Sequence, residues 1–257
     1  MDKDLQLPGL FIIRFQTAPA VPAPFSHYST FKLFIDSETK IKVDFSINYI
    51  DRDELSEDEI LDEGFSMDDN YVWKDTVPAI WIKEFQNILA TSHIIRKREE
   101  KEFEDFVEVE LEEDGKRVTI YPVDKERWAY FVQEFMQAIF ETSGRENPFE
   151  LTYLEISEAG EEVLDLKASF SEKTFTLVKN KGAKQDLEWK KLQNVMDTVY
   201  KAGFMEEFAV DQRPLKKGKY ITAGDGLWYQ MGVAVVETTA KSKDLPKIES
   251  MFASMMK

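Results

Sequence analysis

The sequence of 257 residues predicts an α+β protein in which antiparallel sheets carry helices packed on one face. Two patterns predict this fold class. Several segments alternate apolar and polar residues, which is typical of strands with one buried face, and others repeat apolar residues every three or four positions, which is typical of amphipathic helices. The order of these segments recurs along the chain, and this recurrence predicts a tandem duplication of a βββαββα unit.

Residues 1–24 are predicted to form an N-terminal strand and a connector. The apolar run of Leu10–Thr17 gives the strand, and the three prolines in residues 18–24 disfavour a helix and favour an extended connection. The first βββαββα half is assigned to residues 25–146. Its clearest strand is the alternating segment 41–49, which we expect to pair with residues 31–36, and Tyr71–Trp73 are expected to add a third strand.

The rest of the first half contains two helices and a hairpin. Apolar residues at helical spacing predict a helix at 79–92 and a longer one at 127–142. Between them, Asp114 and Gly115 stand between two alternating runs, and because both residue types tolerate positive φ they predict a tight turn. Gly144 and Pro148 then predict a helix stop and a boundary between the two halves.

The second half, residues 147–257, repeats this order of elements. Strands are predicted at 149–157, 161–170 and 174–178, followed by a helix near 190–203, a hairpin at Asp225 and Gly226, and a final helix containing Ile248 and Phe252. The two Asp-Gly pairs are 111 positions apart, and a shift of 111 places the helix at 79–92 on 190–203.

Residues 51–69, called the acidic segment below, interrupt the first half. The second half makes the corresponding connection with Ser171–Lys173, so we expect the acidic segment to be dispensable for folding and to serve a function. Ten of its nineteen residues are carboxylates, and they are the candidate partner-binding residues: Asp51, Asp53, Glu54, Glu57, Asp58, Glu59, Asp62, Glu63, Asp68 and Asp69.

Three interpretations of the acidic segment remain open. As a calcium loop it departs from the required pattern, because Leu55 occupies a ligand position and Ser56 stands where glycine is needed. As a solvated surface helix, Glu54–Asp62 would direct Leu55, Ile60 and Leu61 toward the core. As a docking surface, its clustered negative charge would attract a basic protein or peptide.

Composition narrows the class of function. The net charge is −16, and residues 1–146 hold 32 acidic and 17 basic side chains, so nucleic acids and anionic membranes are unfavourable partners. The absence of cysteine excludes disulfides, thiolate catalysis and cysteine-ligated metals. Without a long apolar run, the chain is expected to be cytoplasmic and to have no membrane contact.

Other candidate sites are weak. His27 and His93 belong to no recognisable catalytic motif, and Glu108, Glu110 and Glu112 share the polar face of a strand, where they are expected to face solvent. Two short basic clusters, Arg96–Arg98 with Lys101 and residues 213–219, are interpreted as loop charges. Trp228 and Tyr229 are interpreted as strand core. The sequence therefore predicts no catalytic, cofactor-binding or metal-binding residues.

The order of elements in each half, together with the acidity, resembles that of type III secretion chaperones, which are acidic and bind partner segments as dimers. The resemblance implies a partner-binding role, and no residue roles are transferred from it. We therefore expect a non-enzymatic protein-binding module, namely an adaptor, a chaperone or an immunity-type inhibitor. The alternatives are a carboxylate- and metal-dependent hydrolase with its site between the halves, and a single-stranded nucleic-acid-binding protein.

Overall fold

The computed structural model describes residues 9–37, 39–98, 103–113 and 115–256. It is an α+β protein, and in the described residues every strand pair is antiparallel. The chain divides into two compact units between Glu146 and Asn147. Two positions of the predicted motifs, Lys101 and Asp114, lie outside the described residues.

The first unit contains a seven-stranded sheet with the strand order β4-β3-β2-β1-β6-β7-β5. A short 3₁₀ helix at Arg52–Glu54 precedes α1. The elements in chain order are β1 (Gly9–Gln16), β2 (His27–Ser37), β3 (Lys40–Tyr49), α1 (Glu57–Asp62), β4 (Tyr71–Val77), α2 (Ile80–Thr91), β5 (Ile94–Ile95), β6 (Phe106–Glu113), β7 (Lys116–Pro122) and α3 (Lys125–Thr142).

Helices α2 and α3 cover one face of this sheet, and the alternation in the sequence explains why. The odd-numbered apolar residues of β3 are almost fully buried, while the even-numbered polar residues face the other side. The ring of Phe31 on β2 lies 5.5 Å from that of Phe135 on α3, and Trp81 on α2 lies 4.9 Å from the same ring. These aromatic contacts form the core between the helices and the sheet.

The second unit contains a six-stranded sheet with the order β11-β10-β9-β8-β13-β14 and a separate pair, β12-β15. A 3₁₀ helix lies at Glu206–Phe208. In chain order the elements are β8 (Phe149–Ser157), β9 (Gly160–Ser169), β10 (Thr174–Lys179), β11 (Lys184–Leu187), α4 (Lys190–Val199), β12 (Gly203–Phe204), β13 (Gly218–Thr222), β14 (Tyr229–Gln230), β15 (Val235–Val236) and α5 (Asp244–Met256).

Helices α4 and α5 contribute to the core of the second unit. Tyr153 on β8 stacks on Phe252 of α5 with ring centroids 4.3 Å apart, and Val195 of α4 is fully buried in the same cluster. Tyr229 is also buried there, as the sequence predicted, and Trp228 is half-buried beside it. Strands β6 and β7 pair on either side of Gly115, and β13 and β14 pair across the loop that contains Asp225 and Gly226, with both glycines at positive φ.

The structure corrects the predicted unit of βββαββα. Strand β1 lies inside the first sheet, between β2 and β6, so it is part of the first half and not a separate N-terminal segment. In each unit four strands precede the first long helix. The predicted unit has only three, because it leaves out β1 in the first half and β11 in the second. Six strands follow the same order in both sheets, from β4 to β7 and from β11 to β14. The duplication itself stays a prediction.

The shared strand order also changes the position that corresponds to the acidic segment. That segment connects β3 to β4, and the matching connection in the second sheet runs from β10 to β11. The matching residues are therefore 180–183, a tight turn in which Asn180 and Lys181 have positive φ, and the predicted equivalence with Ser171–Lys173 is wrong.

Candidate protein-docking site

The acidic segment is an ordered excursion between β3 and β4, and Arg52 fixes it to the sheet. One guanidinium nitrogen, Nη1, donates to the carboxylate of Asp69 and to the backbone carbonyl of Ser66, both at 2.7 Å. Nε and Nη2 donate to the carbonyl of Pro24 at 3.3 and 3.2 Å. Since only 12% of the Arg52 side chain is exposed, these bonds replace the water that a guanidinium otherwise binds.

The planar guanidinium of Arg52 also packs against two aromatic rings. Its central carbon lies 3.9 Å from the centre of the Tyr49 ring and 4.8 Å from that of Phe65. Phe65 in turn contacts Phe25 edge-on, with centroids 5.3 Å apart. These cation–π and aromatic contacts hold both ends of the acidic segment against the end of β3.

Asp69 is the other half of this attachment. Its carboxylate accepts hydrogen bonds from the backbone N–H and the hydroxyl of Ser66, each at 2.8 Å, and Arg145 lies 3.8 Å away. Partial burial would raise the pKa of Asp69, but the bonds from Ser66 and Arg52 outweigh it and the pKa is lowered. Asp69 is one of the ten predicted partner-binding residues, but its carboxylate is already hydrogen-bonded and ion-paired within the chain.

Helix α1 begins at a capping box, which explains why it is shorter than the predicted Glu54–Asp62. The backbone N–H of Glu59 donates to the Ser56 hydroxyl, and the Glu59 carboxylate accepts from the Ser56 backbone N–H at 2.8 Å. Ser56 also donates its hydroxyl to Glu59, and these bonds lower the pKa of Glu59. Glu57 and Asp58 occupy the first turn, where the helix dipole favours negative charge.

The apolar residues of the acidic segment match the predicted orientation only in part. Ile60 is fully buried, so the acidic segment contributes a side chain to the core, and its dispensability for folding stays a prediction. Leu61, which was expected to face the core, is 50% exposed, and Leu55 is half-buried. Met67 is 59% exposed in the same segment. Two apolar side chains therefore lie on the surface among the carboxylates.

Eight carboxylates of the segment form what we call the acidic surface. All eight are exposed, and within the described part of the chain none of them has an ion pair. Glu59 lies beside them but is used in the capping box. The acidic surface consists of Asp51, Asp53, Glu54, Glu57, Asp58, Asp62, Glu63 and Asp68.

The described residues contain neither a metal-ligand cluster nor a helix that could span a membrane. Across residues 9–37, 39–98, 103–113 and 115–256, no group of three or more histidine, aspartate or glutamate side chains could hold a metal ion. The helices of these ranges are also too short or too polar to span a bilayer. The predicted metal-dependent alternative thus gains no candidate ligand set there.

His27 lies at the start of β2, beside Tyr49, and is largely enclosed. Its Nδ1 is 2.9 Å from the carbonyl oxygen of Phe25, and its Nε2 is buried and has no hydrogen-bond partner among the residues that the structure describes. Burial lowers the pKa of His27 because it disfavours the charged imidazolium. The rings of Phe15 and Tyr49 lie on either side, with centroids 5.8 and 5.7 Å from that of His27. His93, by contrast, is exposed.

The other charged candidates are paired within the chain. Arg14 donates to Glu108 at 2.6 Å and to Glu110 at 2.7 Å on the sheet face opposite α2 and α3, so both glutamates are ion-paired within the chain. Glu112 is exposed, as expected. In the two basic clusters, Arg96 pairs with Glu113, Arg213 with Glu161, Lys217 with Glu158 and Lys219 with Glu249. Arg96, Arg213 and Lys217 lie in connections between strands, in agreement with their interpretation as loop charges, whereas Lys219 lies on β13 and the interpretation is wrong for it.

Sequence reasoning missed the residues that hold the site together. Arg52 is the single basic residue among ten acidic ones in residues 51–69, and this contrast was the available signal. The contributions of Pro24 and Arg145 could not be read from the sequence, because they lie 28 and 76 positions from the groups that they contact.

Comparison of the chain with protein-family models, with curated proteins and with solved structures found no match. The resemblance in element order to type III secretion chaperones therefore transfers no activity and no partner to this chain. The fold is that of an α+β protein with antiparallel sheets packed against helices. The candidate site is the ordered acidic segment between β3 and β4.

Proposed function

We propose that this chain is a non-enzymatic protein-binding module, acting as an adaptor, a chaperone or an immunity-type inhibitor, and that its acidic surface binds a basic partner protein. The observation that carries the proposal is the set of eight exposed carboxylates without an ion pair in the described residues. Mutual repulsion among these charges is relieved when a cationic partner binds, and the same field raises the rate of encounter.

The attachment through Arg52 supports this function. Binding to a flexible segment loses affinity because the segment must be ordered, whereas an already ordered one avoids most of that cost. Arg52 and Asp69 hold both ends of the acidic segment, and the capping box fixes α1 between them. The acidic surface is therefore presented in one arrangement before a partner arrives.

Exposed apolar side chains complement the charge. Leu61 and Met67 are 50% and 59% exposed among the carboxylates. Electrostatics governs steering and specificity more than affinity, and the binding energy of an interface is concentrated in a few buried anchors. Leu61 and Met67 are the residues that would become buried in the complex, so we expect a partner surface with basic residues around an apolar patch.

The test is an affinity capture from a lysate of the source organism with three immobilised proteins. The first is the intact chain, and the second, called the amide variant, has all eight residues of the acidic surface changed from Asp to Asn or from Glu to Gln. The third is a control with the same change in charge at exposed sites of the second unit: Glu162, Glu172, Asp186, Glu188, Asp197, Glu206, Glu207 and Asp211.

The expected result is a basic protein that the intact chain and the control retain and that the amide variant loses. The purified complex should also weaken steeply between low salt and about 150 mM salt, where charges more than about 8 Å apart are screened. If the amide variant retains the same proteins as the intact chain, or if none of the three retains a basic protein, the proposal is wrong.

A further inference from the structure

Strand β4 leaves one edge of the first sheet open. It pairs with β3 on one side, and in the described part of the chain no strand pairs with its other side. An open edge presents backbone donors and acceptors that can bind another extended chain. With seven residues, β4 is long enough for such pairing, whereas the outer strand β11 of the second sheet has four.

The hydrogen-bond pattern of the sheet identifies which backbone groups of β4 face outward. Along an antiparallel strand, alternate residues bond to opposite neighbours. The N–H of Ile50 donates to the carbonyl of Ser26 at 3.0 Å, so the even-numbered residues at this end of β3 bond to β2. The odd-numbered residues of β3 therefore bond to β4, and their partners are Tyr71, Trp73, Asp75 and Val77.

The remaining residues of β4 direct their N–H and C=O groups away from the sheet. These residues are Val72, Lys74 and Thr76. The N–H of Thr76 agrees with this assignment, because it donates to the carboxylate of its neighbour Asp75 at 2.7 Å and not to β3. Val72 and Lys74 thus offer the outward-facing groups of the edge that remain open.

Side chains on β4 do not cover this edge. Val72 is 72% exposed, which is a large exposure for an apolar residue in a strand. Lys74, a residue type that often protects sheet edges, turns back over the sheet, with its ammonium 3.4 Å from the carboxylate of Asp44 on β3. An open groove of about 520 Å³ extends across β4, β3 and β2, with Lys74, Lys42 and Phe34 among its lining residues, so it lies on the sheet and leaves the outer side of β4 uncovered.

Charge identifies the occupant of this edge. The acidic segment leads directly into β4, and Asp68 precedes Tyr71 by only three positions. A strand that pairs with β4 therefore lies beside the acidic surface, where lysine or arginine side chains are favoured. A second copy of this chain, with a net charge of −16, would bring like charges together, so pairing of two copies is disfavoured.

We propose that an extended basic segment of the partner pairs with β4 as an additional strand while its cationic side chains reach the acidic surface. This inference rests on the proposed function and specifies how the partner binds. Main-chain hydrogen bonds to Val72 and Lys74 supply affinity, and the exposed side chain of Val72 provides an apolar contact for a neighbouring residue of the segment.

The probe is a fluorescent peptide of about eight residues in which lysine and valine alternate, a length that matches β4. Two derivatives carry backbone N-methyl groups, one on the odd-numbered residues and the other on the even-numbered residues. In a paired strand only one of these sets faces β4. A peptide with glutamate in place of lysine controls for charge, and fluorescence anisotropy measures each affinity for the intact chain at low salt.

The expected result is that the lysine peptide binds and that one N-methylated set weakens binding about tenfold or more while the other leaves it nearly unchanged. The glutamate peptide should not bind. Val72→Pro removes an outward N–H, which an edge strand tolerates, and should weaken binding of the lysine peptide, whereas Val72→Thr keeps the N–H and should not. If Val72→Pro disturbs folding, the N-methylated peptides still test strand pairing with β4, because they are measured on the unmodified protein.

Equal effects of the two N-methylated sets, or no binding of the lysine peptide, would overturn pairing at β4. The amide variant separates this result from failure of the proposed function. If it loses the basic protein captured from the lysate while the two methylated sets act equally, the acidic surface binds the partner without strand pairing. If it keeps that protein, the proposed function fails, and the inference that rests on it fails as well. Association of two labelled copies of the chain through β4 would also overturn the inference that a basic segment of the partner pairs there.

Discussion

The guanidinium of Arg52 and the carboxylate of Asp69 lie 2.7 Å apart, one near each end of the acidic segment. Both side chains are mostly buried, with 12% and 16% of their surface exposed. This pair closes the excursion between β3 and β4, so the segment that carries the acidic surface has a defined conformation.

Replacing Arg52 with alanine is expected to lower the free energy of unfolding by about 2–4 kcal/mol, because Asp69 and the carbonyls of Pro24 and Ser66 lose their donor in a poorly hydrated site. Urea denaturation measures the change. Arg96→Ala is the matched control, since Arg96 pairs with Glu113 at an exposed site, and it should cost less than about 1 kcal/mol. Equal losses in the two variants would show that the contacts of Arg52 do not stabilise the fold.

Replacing Ile60 with alanine tests the packing of α1. Ile60 is fully buried, so the loss of its side chain should cost about 2–4 kcal/mol in the free energy of unfolding. Leu61→Ala, next in sequence but 50% exposed, should cost less than about 1 kcal/mol. Chemical denaturation of both variants gives the comparison. A cost for Leu61 that matches the cost for Ile60 would contradict the orientation of α1.

Protonation of His27 is expected to destabilise the fold. Burial lowers the folded-state pKa of His27 below its ordinary value of 6.5, so the unfolded chain binds the proton more readily. The associated stability is present above pH 6.5 and is lost as the pH falls through the folded-state pKa. An NMR titration of the imidazole should show the lowered pKa. In His27→Gln the part of the stability change that sets in below pH 6.5 should disappear, and a folded-state pKa above 6.5 would refute the prediction.

Tyr229 in the second unit is expected to resist ionisation. Burial and a 2.8 Å hydrogen bond from its hydroxyl to the carboxylate of Asp225 raise the pKa of Tyr229 to about 12. A raised pKa contributes stability below the unfolded value of 10, and this contribution is lost as the pH rises toward 12. Ultraviolet titration of tyrosinate, compared between the intact chain and Tyr229→Phe, isolates this group.

Asp225→Asn supplies the control for that titration. The amide removes the negative charge next to the hydroxyl while keeping a similar shape, so the pKa of Tyr229 should fall but remain above 10, because burial is the larger cause. If the pKa of Tyr229 is unchanged in Asp225→Asn, the hydrogen bond between the two side chains does not influence it.

Local sequence patterns were sufficient to predict most of the long elements. The alternation at 41–49 predicted β3, which spans Lys40–Tyr49, and the apolar stripe at 79–92 predicted α2, which spans Ile80–Thr91. These predictions succeeded because the burial of one face imposes a period of two on strands and of about 3.6 on helices. The acidic segment was also recognised as an excursion from the sheet.

Elements without such a period were missed. Strand β11 has the sequence KQDL, which does not alternate apolar and polar residues. It forms by pairing with the edge of β10, where Leu187 lies opposite Phe175. The assignment of β1 to the middle of the first sheet likewise depends on its pairing with β6, about one hundred positions away. Pairing between distant strands leaves little trace in local sequence.

The sequence by itself determined the fold class, the main strands and helices, and the concentration of carboxylates in residues 51–69, because these depend on composition and on local periodicity. The tertiary structure decided which carboxylates are exposed, since Asp69 is occupied only when the fold brings Arg52 and Arg145 to it. It also decided that β4 ends the sheet and has outward-facing backbone groups beside the acidic surface. Both results depend on contacts between residues that are far apart in the chain, and the physical reason is that such contacts form only when the whole sheet has assembled.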